Sequence, residues 1–165
     1  MTIIIKNKET LLFDDFKLKC TIGKKGLSKN KKEGDFKTPI GIFELGDIYY
    51  RPDRVQKPIS KLKVNIIRKN MGWCNDPNSK YYNKLIKIKK NFKNSFEKLF
   101  RKDSKYDLLV LIKYNYSKIV KNKGSAIFLH LTQNYLPTKG CVALKKKDFL
   151  ILIKLINKNT KIKIT

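Results

Sequence analysis

The sequence predicts a mainly β domain, a β-sandwich or barrel-like body carrying one or two helices. Three observations point there. Short β-prone runs recur along the chain, separated by Gly, Pro and polar pairs. Only two segments space their apolar residues as a helix would. The 165 residues, 41% of them hydrophobic, suffice for one core, with no internal repeat and no linker-like stretch. The whole chain, 1–165, therefore reads as a single domain.

Taken in order, TIIIK, ETLLF and FKLKCTI are the opening strands. The following segment, GKKGLSKNKKEGDFKTPIG, is punctuated by Gly23, Gly26, Gly34, Pro39 and Gly41, and reads as a loop. Strand character resumes in IGIFEL and in KLKVNII, with a turn at YYRPDR between them. The stretch GWCNDPNSKYYNK is polar, aromatic and turn-rich, because a residue before Pro avoids the helical region. Residues 95–101, SFEKLFR, place Phe96, Leu99 and Phe100 at helical spacing and predict a short helix. YDLLVLIKYN and GSAIFLHL are buried strands. Asp148 is expected to cap a helix over FLILIKLI, and KIKIT to close the chain as an alternating edge strand.

Composition narrows the function. There are 39 Lys+Arg against 13 Asp+Glu, a formal charge of +26. Such a field attracts polyanions. The lysines are nevertheless scattered rather than gathered, and Lys, Ile and Asn are abundant where Ala occurs twice, a bias that AT-rich codons produce. No aromatic RNA-binding motif, helix-turn-helix pattern or zinc set accompanies the charge, so no specific nucleic-acid partner is expected. Cys20, Cys74 and Cys141 are too few and too dispersed for a disulfide framework. With one histidine they make a poor metal set. The apolar start, Ile3 to Ile5, is shorter than a secretory signal needs, and no segment reaches the length of a membrane span. As written, the chain reads as cytoplasmic. A start lying upstream could carry a signal and make it periplasmic.

The residues with chemistry to offer are His130 and Cys141. A thiolate is a strong nucleophile, and a nearby imidazole can generate it. His130 lies near the end of the predicted strand GSAIFLHL, and Lys139-Gly140-Cys141 follows a turning loop that contains Pro137. Strand, loop and Gly-Cys pair can bring imidazole and thiol together, and backbone amides around Gly140 can converge on a developing oxyanion. A lone His in an apolar strand and a Cys between Gly and Val are also ordinary core residues, so spacing alone leaves both readings open.

The run GSAIFLHL followed by PTKGCVAL resembles the signature of the L,D-transpeptidase catalytic domain (YkuD-like) family. KKEGDFKTPIGIFEL resembles the family's Gly-Thr-Pro-x-Gly loop. YYRPDR, GWCNDP, YDLLVLIKYN and the closing helix and strand follow in the order of a small single-domain branch, from about residue 20 to the C-terminus. The resemblance implies a β-sandwich-like domain that needs no metal or organic cofactor. It implies action on peptidoglycan stem peptides or muropeptides, cleaving the bond between an L-centre and D-alanine through a thioester. Cys141 matches the nucleophile, His130 the base, and the amides of Lys139, Gly140 and Cys141 the oxyanion site. An amine acceptor would give a cross-link, and water would give L,D-carboxypeptidase trimming. The latter is expected if only soluble fragments are met.

Two positions depart from the commoner motif. Lys139 stands where a His precedes Gly-Cys, and Ala143 where a substrate-binding Arg follows. Arg51 or Arg54 could take over that duty, since Arg is rare here and its fork suits a carboxylate; each could equally be a structural partner of Asp53 or Asp47. Trp73, Tyr81 and Tyr82 would line a groove or pack, and Asp76 would bind an amine or cap its turn. Glu33, Asp35 and Thr38 are expected to brace their loop, and Cys74 to be inert.

Overall fold

A computed structural model describes all 165 residues. The chain opens with an antiparallel meander, β1 (Thr2–Lys6), β2 (Thr10–Phe13) and β3 (Phe16–Lys19). A two-stranded ladder, β4 (Leu27–Ser28) and β5 (Thr38–Pro39), brackets the Gly-rich loop. Then come the long β6 (Gly41–Tyr50), β7 (Val64–Ile66), β8 (Met71–Cys74), β9 (Leu85–Lys87) and β10 (Phe96–Lys98). The last part holds β11 (Leu108–Ile112), β12 (Phe128–Leu131), β13 (Val142–Leu144), the only helix α1 (Lys146–Leu155), and β14 (Lys161–Ile164).

Nine strands form one sheet, ordered β13-β12-β11-β6-β14-β1-β2-β3 with β7 added to β6. Its two ends meet. Just past β3, Thr21 donates to the Ala143 carbonyl of β13 at 3.0 Å, and Ala143 donates back at 2.9 Å. These reciprocal bonds nearly close the sheet into a barrel, the second of the two architectures expected. β6 is long because it serves two neighbours: Gly41–Glu44 pair with β14, and Leu45–Tyr50 with β11.

Alternation along the strands sorts side chains into two cores. Ile3, Ile5, Leu129, Leu131, Val142, Leu144, Ile162 and Ile164 point into the barrel, where Phe149, Leu152 and Ile153 of α1 join them. The residues between them point outward. On β11, Leu108, Val110 and Ile112 face the barrel while Leu109 and Leu111 face a second cluster with Trp73, Tyr106, Phe128 and Cys141. Both faces of β11 are covered, which explains its unbroken apolar sequence. The three-stranded sheet β10-β8-β9 covers the outer cluster.

Four expectations need correction. Residues 95–101 form no helix. Phe96–Lys98 is a strand on β8, pairing Glu97 with Trp73. A seven-residue helix would have to draw nearly all its stability from packing, and the edge of β8 offers backbone bonds instead. GWCNDP, read as turn, begins with β8 itself, too short for its period to show. Asp148 is not the cap of α1. Lys145 occupies that position without a side-chain bond, and Asp148 sits in the first turn, where a negative charge meets the positive end of the helix. KIKIT is not an edge strand, since β14 lies between β6 and β1. Alternation reports a buried face, not the number of neighbours.

Candidate active site

His130 and Cys141 come together through register. β12 and β13 run parallel, with His130 opposite Ala143 and Leu129 opposite Val142. Cys141, immediately before β13, shares the parity of Ala143. Its side chain therefore falls on the outer face with Phe128 and His130, away from the barrel interior. The loop joining the strands is pinned to the chain just beyond β3: the Thr138 amide donates to Ile22 and the Lys24 amide to Thr138. Within it the Thr138 hydroxyl donates to the Cys141 carbonyl at 2.6 Å and accepts the Gly140 amide at 3.0 Å. Gly140 has φ of 142°, and a Cβ there would lie 2.8 Å from the Lys37 carbonyl, so only glycine fits. With the Gly140 amide committed to Thr138, the amides of Lys139 and Cys141 are the two that bond to no other group of the chain.

Cys141 is 7% exposed. It donates to the Ala126 carbonyl at 3.3 Å and accepts the Phe128 amide at 3.4 Å. Ala126 is held in the left-handed region, φ 52°, by the Asn83 side chain on its amide, which aims its carbonyl at the sulfur. Burial, reinforced by the Glu97 carboxylate, pushes the thiol up to about 12, against smaller opposing effects of the Phe128 amide, Lys31 and Tyr106.

His130 is 5% exposed. Its Nδ1 lies 2.8 Å from the Leu131 carbonyl. A carbonyl can only accept, so Nδ1 carries the hydrogen and Nε2 is left as the basic nitrogen. Burial brings the imidazole down to about 4, so it is neutral at pH 7. Its ring meets Tyr106 edge-on at 5.3 Å, and the Tyr106 hydroxyl donates to Glu97 at 2.5 Å. The resting pair is thus neutral thiol and neutral imidazole.

The depressed imidazole makes stability depend on pH with a definite sign. Above the ordinary value of 6.5, neither the folded nor the unfolded imidazole is charged. Below it the unfolded chain binds a proton that the folded chain refuses until about pH 4, and stability falls by about 3 kcal/mol across that window. Thermal melts of His130→Gln between pH 7 and pH 4 are expected to lose this part of the decline; an unaltered slope would contradict the burial of a neutral imidazole.

Both residues line one cleft of about 620 Å³. Lys24, Lys31, Arg101, Lys105 and Lys139 make much of its wall positive, with Glu33, Glu97 and Asp103 as the acidic groups. None of Arg51, Arg54, Trp73, Asp76 or Tyr82 lines it. Arg51, 3% exposed, donates twice to Asp53 and once to the Arg101 carbonyl, and its guanidinium stacks 3.4 Å from the centre of the Phe100 ring. Arg54 binds Asp107 and the carbonyls of Lys102 and Asp103. The two arginines clamp the segment that carries Arg101 and Tyr106 into the cleft. Trp73 donates to Asn83 and packs on Phe128. Asp76 accepts the Asn78 amide and Asn94, capping its turn. Tyr82 donates to Glu33 and accepts the Gly124 amide.

Arg51→Lys is accordingly expected to cost about 1–3 kcal/mol of stability, because an ammonium cannot make the three directed bonds and the ring stack. A thermal melt measures it, and an unchanged midpoint would show the clamp to be dispensable.

Reading the sequence missed Lys31, Glu97, Arg101, Tyr106 and Thr138 in the cleft. Arg101, one of only four arginines, carried the same compositional signal as Arg51. Glu33, Asp35 and Thr38 do brace their loop: Glu33 accepts from Tyr82 and Ser125, Asp35 pairs with Lys31, and Thr38 accepts the Gly23 amide. No group of three or more His, Cys, Asp or Glu side chains is placed to hold a metal ion, and no helix is long and apolar enough to cross a membrane.

The fold is thus a nearly closed mixed sheet that carries a Gly-Cys turn beside a histidine on the adjoining strand. The L,D-transpeptidase catalytic domain (YkuD) family matches residues 1–164, and the chain belongs to that family. Among solved structures, that of the helical cell shape determining protein Pgp2 from Campylobacter jejuni is similar in fold, with a TM-score of 0.53 at 17% identity. The match covers 99% of this chain and 46% of that one, so the present chain spans about half the length of Pgp2. Comparison with curated proteins returns no significant match.

Proposed function

We propose that the protein trims peptidoglycan stem peptides as an L,D-carboxypeptidase, with Cys141 as nucleophile and His130 as general base. The observation that carries the reading is the meeting of a thiol, a basic imidazole nitrogen and two unengaged amides at one cleft. His130 Nε2 takes the thiol proton as sulfur attacks the carbonyl of the L-centre. The new oxyanion is received by the amides of Lys139 and Cys141. The carbon–nitrogen bond then breaks, His130 returns the proton to the departing D-alanine amine, and a thioester remains. Water attacks the thioester, His130 accepts its proton, and the proton passes back to sulfur as the tripeptide acid leaves.

The charge of the cleft supports hydrolysis over cross-linking. An acceptor stem would bring a protonated amine toward Lys24, Lys31, Arg101, Lys105 and Lys139, whereas water is neutral and in excess. An amine would prevail only if a second stem were held in place at high effective concentration. Incubation with a disaccharide-tetrapeptide, followed by mass spectrometry, tests this. Loss of one D-alanine is expected. A dimer whose yield comes to dominate as donor is raised would establish 3-3 cross-linking instead, and an unchanged tetrapeptide would remove the function altogether.

A further inference from the structure

A lysine ammonium loses more on leaving water than almost any other group, and lysines are almost never fully buried unless paired. This chain carries 35 lysines, and Lys31 alone among them is buried, at 4% exposure. Its path is cleared by two glycines. A Cβ on Gly124 would come within 2.8 Å of Lys31 Cε and 3.1 Å of its Cδ, so the stem crosses bare backbone there. A Cβ on Gly140 would lie 3.4 Å from Nζ. The stem thus delivers the ammonium to the residue preceding the nucleophile. Asp35 holds it there at 2.6 Å and is itself fixed by the amides of Lys32 and Lys37.

A neutral thiol in an apolar pocket needs something to offset the charge that appears when it ionises. Of the groups that act on the Cys141 charge, Glu97 opposes it, and Lys31, Tyr106 and the Phe128 amide favour it. Of these only Lys31 carries a full positive charge. Resting on the assignment of Cys141 as nucleophile, we propose that Lys31 is the fixed cation of the active site: its ammonium, seated by Asp35 against the Gly140–Cys141 turn, stabilises the negative charge borne first by the sulfur and then by the oxyanion. It acts through Cys141 and is a positioning residue.

Lys31 and Asp35 could instead be only a brace for the loop, and the two roles differ in sign. Loss of either partner of a brace loosens the same loop and shifts reactivity the same way. As electrostatic elements they oppose one another, since removing the cation disfavours the thiolate and removing the anion favours it. The experiment is the rate of Cys141 alkylation by iodoacetamide at pH 8, read by mass spectrometry of the Cys141 peptide in the folded protein. The reagent is neutral and needs no peptidoglycan, so the result is independent of whether muropeptides are turned over. Lys31→Met is expected to slow alkylation about tenfold and Asp35→Asn to speed it several-fold, as for a nearby charge moving a thiol by about one pH unit. Shifts in the same direction, or none, would overturn the proposal. If Lys31→Met does not fold, the pH profile of alkylation in Asp35→Asn decides alone: a profile moved to lower pH supports the proposal, and an unmoved profile, whatever the rate, ends it.

Discussion

Cys141→Ala is expected to abolish release of D-alanine from a disaccharide-tetrapeptide while leaving the fold intact. The chemistry has no substitute nucleophile: Cys20 is buried in the barrel core, where burial pushes its thiol up to about 12, and Cys74 is buried on β8. The fold should survive because the change removes one sulfur from the edge of the outer cluster. The Thr138 bond to the Cys141 carbonyl and the closing bonds of Ala143 are made by backbone that alanine keeps. The loss of stability should therefore be about 1 kcal/mol, while turnover falls to background. Cys20→Ala and Cys74→Ala should leave chemistry nearly unchanged. Full activity in Cys141→Ala, or activity lost only with Cys74, would dismiss the assignment.

His130→Gln should lower the acylation rate by about 10²–10⁴-fold, the usual worth of a positioned general base. Glutamine can still donate to the Leu131 carbonyl and approximate the ring's volume, so the loss isolates the basic nitrogen. Single-turnover acylation by a thiol-reactive carbapenem measures it without depending on the acceptor. The imidazole is brought down to about 4, so the base form should persist through the mildly acidic range, and the acid limb of the rate profile should lie near pH 4 rather than 6.5. An unchanged rate in His130→Gln would return the residue to the core.

Much of this architecture could be read from the chain because it depends on local patterns. Alternation in TIIIK and KIKIT, the apolar run of β11 and the Gly-Pro punctuation of the 23–41 loop each report their own burial or turn. What failed was non-local. Whether 95–101 became helix or strand was settled by β8, and whether β14 lay at an edge was settled by β1. The site divided the same way. Cys141 and His130 stood out as a single Gly-Cys pair and a single histidine, whereas Lys31 was one lysine among many. Its distinction is the gap between Gly124 and Gly140, which exists only after folding. Arg51 and Arg54 were rightly singled out as unusual, but rarity marks geometry and not accessibility, and their geometry is spent on Asp53, Asp107 and backbone carbonyls.

The position of β14 has a consequence for how the molecule is made. The strand joins β6 to β1, pairing Ile164 with Gly41 and Thr2 with Lys161. Until residues 161–164 leave the ribosome, the β1–β3 meander and the sheet built on β6 and β11 can share only the Thr21–Ala143 bridge and no ladder. The nascent chain must therefore carry two open sheet margins through synthesis, and the barrel can form only after translation has passed Ile164. Chains tethered to the ribosome by a linker long enough to expose residues 161–164 should resist protease sharply better than equally tethered chains that lack them. The high contact order of such a join also predicts folding slower than helical proteins of the same length.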